Sequence, residues 1–326
     1  MTATHPGTST QDPPAERSPA AGHSRRMSGG PSRTTRRFGR LSHFALFGLP
    51  SLALYACFVL VPIGIAAYYS LTNRNPFNPP TKWVGLRNYR TLADDPDFWK
   101  VLTNTIIITV AVTIAANAIG LAIAVLLDRR GWLYNALRGV FFTPVVLSGV
   151  VVSVIWQSIL TDDGLLNTTL HKLGVDHPPG WLSDPDLALY TLCWILTWQM
   201  IGFCVVVYLA GLQGVPHELH EAATVDGAGP FERFRHITWP LLAPALTINT
   251  VMMLISTFKT YDQVQVITNG GPGDRTTSTI AFDVIQTGLV GNRSGYSSAV
   301  AVVMLVFVAA VSTVVLRLLQ RREVNA

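Results

Sequence analysis

Six stretches of this chain run for at least 23 residues without an Asp, Glu, Lys or Arg: 41–73, 101–127, 139–161, 187–217, 236–258 and 294–316. A helix needs roughly 20 apolar residues to cross the hydrocarbon core of a bilayer, and each run contains such a stretch. No water reaches that core, so backbone N–H and C=O groups must pair within the segment, which makes each run a helix. The runs predict spans near 44–70, 102–127, 140–161, 188–212, 241–262 and 297–319. Pro50, Pro62 and Pro144 lie in or beside spans, where kinks are tolerated. Helices buried in a large soluble core would need charged outer faces, and these runs have none. Only 13% of the residues are charged, about half the ~25% of soluble domains. That balance argues against a cytosolic enzyme, a nucleic-acid binder and a disordered scaffold. The expected class is an all-α membrane protein with six transmembrane helices.

Orientation follows from Lys and Arg. With the N-terminus in the cytoplasm, fifteen basic residues fall in inner segments and eight in outer ones. The short segment 128–138 holds Arg129, Arg130 and Arg138 against Asp128, and short loops follow the positive-inside rule best. Both termini are therefore expected in the cytoplasm. The net charge of +5 comes wholly from residues 1–40, where seven Arg face Asp12 and Glu16. This stretch is rich in Pro, Ser, Thr and Gly and is expected to be a disordered basic cytoplasmic tail. Its Arg cluster at 25–40 suits anionic lipid headgroups. Residues 41–326 form the expected transmembrane domain. Run 41–73 is too long for a cleaved signal peptide and follows a 40-residue tail.

Several chemical signals fail on inspection. None of Lys82, Lys100, Lys172 and Lys259 follows a Gly, so the phosphate-cradling Gly-Lys-Ser/Thr loop is absent. His217-Glu218-Leu219-His220 misses the zinc-protease helix by one place, since its second His must stand at i+4. Ser148-Gly149 lacks the earlier Gly of a nucleophile elbow. The sequons at Asn167 and Asn292 fall in predicted outer loops. No metal, cofactor or catalytic residue is expected in this chain.

The informative segment is 213–240. Pro216 suits the start of a helix and Gly227 its end, so 216–226 reads as a short helix. Gly229-Pro230 restarts the chain, and Phe231, Phe234 and Ile237 recur on one side of a second helix before Pro240. Such an elbow, with a small Ala222-Ala223 surface and exposed aromatics, suits contact with another protein; the alternative is a linker packed on the membrane surface. Glu221-Ala222-Ala223, Asp226-Gly227-Ala228, Ile237 and Pro240 resemble the EAA loop of permease subunits of binding-protein-dependent ABC importers. The likeness is to the carbohydrate branch, of the maltose-permease and glycerol-phosphate-permease type. Trp83-Val84-Gly85-Leu86-Arg87-Asn88-Tyr89, Thr268-Asn269-Gly270-Gly271-Pro272-Gly273 with Thr276 and Thr277, and Gly295-Tyr296-Ser297-Ser298-Ala299 resemble further segments of that branch. At Asn269 many relatives place Gly or Lys.

The resemblance implies the ABC transmembrane type-1 (MetI-like) fold, with its core near 100–318. It also implies four kinds of partner: a second permease subunit, two ATP-binding cassette ATPases that bind ATP and Mg, an extracytoplasmic solute-binding protein, and membrane lipid. Glu221 to Ala228 would then be the coupling helix seated in an ATPase groove, and the cargo a sugar or a related solute such as glycerol phosphate. An intramembrane enzyme or a membrane scaffold is the rival from another class, but no nucleophile–base set and no soluble domain support either. For the solute path the residues offer Trp194, Trp198 and Gln199 in the fourth span and Asn249, Ser256 and Thr260 in the fifth. These last three fall at i, i+7 and i+11, one helix face. Asp262 and Lys259, three apart, are expected to pair at the end of that face.

Overall fold

The computed structural model describes residues 48–323, so the expected tail at 1–40 lies outside the described residues. Close contacts divide the chain after Phe58. The first span, α1, is Gly48–Ser70. Then come α2 (Arg87–Ala93), α3 (Pro96–Leu127), α4 (Trp132–Val146), α5 (Gly149–Leu160) and α6 (Leu165–Lys172). They are followed by α7 (Ala188–Gln213), α8 (His217–Val225), α9 (Pro230–Leu241), α10 (Ala243–Phe258), α11 (Ile280–Val290) and α12 (Ser294–Glu323). No strand occurs among the described residues; the one β-bridge pairs Thr72 with Trp83.

Among the described residues, five helical stretches are long and apolar enough to cross a membrane, and a sixth crossing follows if α9 and α10 count as one bent span. α7 is the axis. In its most apolar window 61% is buried, against 39% for α3 and 11% for α12. Ile108 and Val112 of α3 pack on Leu192, Ile195 and Leu196 of α7 and on Val152 of α5. Lower on the same pair, Ala116 and Ala124 meet Cys204, Val205 and Tyr208, with Leu242 and Met253 closing the layer. Lipid offers apolar groups no reason to leave it, so close packing and interhelical hydrogen bonds must hold such helices together. Tyr208 donates to Asn117 Oδ1 at 2.6 Å, and the Asn249 amide donates to the Cys204 carbonyl at 3.3 Å.

Two expected spans differ from the observed ones. The third, expected over 140–161, is broken. Pro144 sits inside α4, Leu147 turns extended (ψ 142°), and Ser148 caps α5 by accepting from the Val151 amide at 3.3 Å. The fifth, expected over 241–262, bends by 61° between Leu241 and Ala243 and ends at Phe258. The bend has a local cause: Pro244 brings no N–H to the carbonyl four residues back and its ring crowds that turn. α3 begins earlier than expected because Asp95 caps it from the Asp97 amide at 3.0 Å, with Pro96 in the first turn.

Candidate functional site

The elbow at 213–240 forms as its punctuation predicts. Pro216 stands just ahead of α8, with φ −59° and ψ 131°. At the other end Gly227 takes φ +81°. The Ala228 amide reaches the Ala223 carbonyl at 2.9 Å and the Gly227 amide the Thr224 carbonyl at 3.1 Å. That pair of bonds is a Schellman cap, and its left-handed residue favours glycine. An added Cβ at Gly227 would meet nothing within 4 Å, so backbone strain alone demands the glycine.

Side-chain bonds brace α8 against α9. Arg233 Nη1 donates to Thr224 Oγ1 at 2.9 Å, and the Glu232 carboxylate accepts the Gly229 amide at 2.9 Å. The outer face holds Glu221, Ala222, Asp226, Val225 and Phe231, all exposed; Val225 is 88% exposed and Phe231 73%. Ala228, Ile237 and Pro240 are half-buried. The expected Ala222-Ala223 surface splits: Ala223 is buried and only Ala222 faces out. Successive side chains of a helix stand about 100° apart, so Ala223 can turn inward while Ala222 beside it faces out.

The candidate path residues do not gather into one face. Trp194 and Trp198 both pack edge-on against Trp156, at 4.6 and 5.4 Å between ring centres. Asn249 is fully buried, and its Oδ1 accepts no hydrogen bond. Ser256 is half-buried within α10, and Thr260 lies just past the helix end with its Oγ1 donating to the Ser256 carbonyl at 3.5 Å. The Thr260 carbonyl accepts from Thr279 Oγ1 at 2.7 Å, which turns the chain away from helix. Lys259 and Asp262 are both exposed and form no ion pair. Once the helix ends at Phe258, three-residue spacing no longer stacks side chains.

Gln199 is brought to something the sequence reading missed. Its amide lies 3.5 Å from the Leu147 carbonyl at the break between α4 and α5, and it accepts from Gln263 Nε2 at 3.0 Å. Gln263 and Asp262 also lie against Gly149. The signal was present in Pro144 and in Ser148-Gly149, a proline followed by a capping residue.

At the opposite end of the bundle from α8, the three loop segments resembling the carbohydrate branch converge. Asn88 donates to the Ser70 and Thr72 carbonyls at 2.7 and 2.8 Å, holding 83–89 on the end of α1. Tyr296 donates to Asp95 Oδ2 at 2.8 Å. Asn104 donates to the Arg275 carbonyl at 2.9 Å, and Thr105 Oγ1 accepts the Ile280 amide at 3.0 Å. Arg275 pairs with Asp283 at 2.7 Å and with Asp97 at 3.5 Å. Burial lifts the Asp283 carboxyl above the usual range, and Arg275 opposes that shift. Asn269, the departure from many relatives, takes φ +48°, a left-handed conformation that asparagine tolerates better than most residues.

Residues 116–324 match the model of a family described as binding-protein-dependent transport system inner membrane component. The chain is 34% identical to the "Probable starch degradation products transport system permease protein AmyD" of Thermoanaerobacterium thermosulfurigenes, over 86% of this chain and 94% of that one. It is 32% identical to the trehalose/maltose transport system permease protein MalF of Thermococcus litoralis, over 79% and 88%. In fold it is similar to a chain of a bacterial alginate ABC transporter, solved in complex with an alginate pentasaccharide-bound periplasmic protein. The TM-score there is 0.74 at 20% identity, covering 88% of this chain and 96% of that one. The exposed capped helix between two spans, the fold and the sequence match agree: this chain belongs to the family of inner-membrane components of binding-protein-dependent transport systems.

Proposed function

We propose that this chain is one permease subunit of an ATP-driven importer of sugars, mono- or oligosaccharide. The observation that carries the reading is α8: an exposed, Schellman-capped helix bearing Glu221 and Asp226, standing at the ends of α7 and α10. In this reading α8 seats in a groove of a separate ATPase subunit at the cytoplasmic face. Two such ATPases bind ATP and Mg, a second permease completes the path, and an extracytoplasmic protein delivers the solute. Both termini lie in the cytoplasm, as the Arg distribution favours. The relatives' sugar cargoes support the substrate class. Movement of the ATPases would shift α8 and, through the braced elbow, the bend ahead of α10; that is rigid-body transmission. The broken turn at Leu147–Ser148, with Gln199, Gln263 and Asp262, is the proposed polar lining of the path. Discontinuous helices expose backbone groups to a solute where continuous ones cannot.

The test is Glu221→Lys in the assembled transporter, read by saccharide uptake and by co-purification of the ATPase. The exposed side chain contributes nothing to insertion, so normal membrane abundance with uptake lowered at least about tenfold is expected, the equivalent of ~1.4 kcal/mol of lost contact. Full uptake at normal abundance would reduce the elbow to a linker. A panel of saccharides that leaves the wild-type transporter inactive, while glycerol phosphate is imported, would overturn the sugar assignment alone.

A further inference from the structure

A cleft of about 750 Å³ opens at the α8 end of the molecule, between the α3–α4 turn and the α7–α8 turn. Arg129, Arg130, Arg138, His217 and His220 line it, with Asn135 and Gln213; its one acidic group is Asp128. The arginines differ in their work. Arg138 is spent on the fold: Nη2 donates to the Leu127 and Arg129 carbonyls at 2.7 and 3.1 Å, and Nη1 to Asn135 Oδ1 at 3.2 Å. That fixes the turn between α3 and α4. Arg129 and Arg130 are exposed, and neither guanidinium has a hydrogen-bond or ion-pair partner among the described residues. Two helices also begin at the cleft, α4 after Gly131 and α8 after Pro216, and neither has a side chain capping its first amides. Unfilled amides at a helix start and planar guanidinium forks both select a phosphoryl oxygen.

We infer that this cleft binds the phosphate of an anionic phospholipid headgroup. The lipid source is argued from the rim. Trp132 and Leu133 open α4 directly beside Arg129 and Arg130, and they are 82% and 51% exposed. α3 and α7 both end at the cleft, which therefore lies at headgroup depth, with an apolar helix face leading away from it for the acyl chain. Basic pockets between span ends are where such headgroups bind. His217 and His220 belong to α8, so a seated headgroup would tie the elbow to the α3–α4 turn. The binding inference stands on this geometry; only its consequence for coupling rests on the transport reading.

The experiment uses the full chain in its transporter, purified in mild detergent. Native mass spectrometry compares retention of phosphatidylglycerol with phosphatidylcholine, alone and against inorganic phosphate. Preferential retention of phosphatidylglycerol is expected, undisturbed by phosphate and weakened about tenfold or more in R129Q/R130Q. Arginines also set topology, so a second measurement needs no variant. A photoactivatable phosphatidylglycerol headgroup should label the wild-type chain within 128–138 and 213–220. Equal retention of the two lipids, unchanged retention in R129Q/R130Q, or label confined to other segments would overturn the inference. Displacement of the lipid by inorganic phosphate would overturn the lipid source and assign the cleft to a free phosphoryl anion.

Discussion

The two connections flanking α10 are built in opposite ways. Before it, the side-chain hydrogen bonds of 213–240 all close within the elbow, from Thr224 to Arg233 and from Gly229 to Glu232. After it, residues 259–280 are tied to distant elements, with Asn104 on the Arg275 and Ser278 carbonyls, Lys100 on Asp274, and Thr105 on Ile280. Asn104 and Thr105 are buried, so each bond there replaces water and its loss leaves an unpaired group at a cost of about 1–3 kcal/mol. The elbow's surface groups would lose little on exposure because they are already exposed. One connection locks the bundle; the other is braced internally, with no side-chain hydrogen bond to an element outside it among the described residues. An element that must follow a partner needs the second design.

Substitutions at one glycine in each connection can break this contrast. The largest effect is expected from Gly271→Val. Gly271 has φ +115°, and its added Cβ would stand 2.3 Å from Thr276 Oγ1 and 2.7 Å from the Thr277 amide. Backbone strain of about 1–3 kcal/mol adds to that clash, so membrane abundance and thermal stability should both fall. Gly227→Val carries left-handed strain of about 1–2 kcal/mol but no clash. Uptake should be lost at normal abundance, and Gly227→Asn should restore most of it because asparagine tolerates that conformation. Equal loss of abundance from the two valine variants would show that both connections serve folding, and the contrast would collapse.

The smallest effect concerns Glu232. Its carboxylate accepts the Gly229 amide at the start of α9. Glu232→Lys should cost about 0.5–1.5 kcal/mol and lower uptake severalfold, while Glu232→Gln keeps an acceptor and should match wild type. Identical behaviour of the two variants would remove the cap from the account of the elbow.

Much of this could be read before any coordinates. Pro216, Gly227 and Gly229-Pro230 located α8 and the start of α9 to within a residue or two, because caps and turns are decided by the backbone freedom of single residues. The six uncharged runs located the spans for a similar reason: the cost of burying a charge in lipid is set by each residue separately. What failed was whatever depends on a partner far along the chain. The Leu147 break gains a place only where Gln199 and Gln263 meet it, 52 and more positions later. Thr260 falls past the end of α10, where Thr279, 19 positions on, donates to its carbonyl. Ala223 turned inward while its neighbour faced out. Arg129 and Arg130 read as topology signals, and only the folding of α8 beside them made a cleft. Local chemistry determined which segments are helices and how the elbow is punctuated; which side chains face one another was decided by packing between segments that sequence distance does not record.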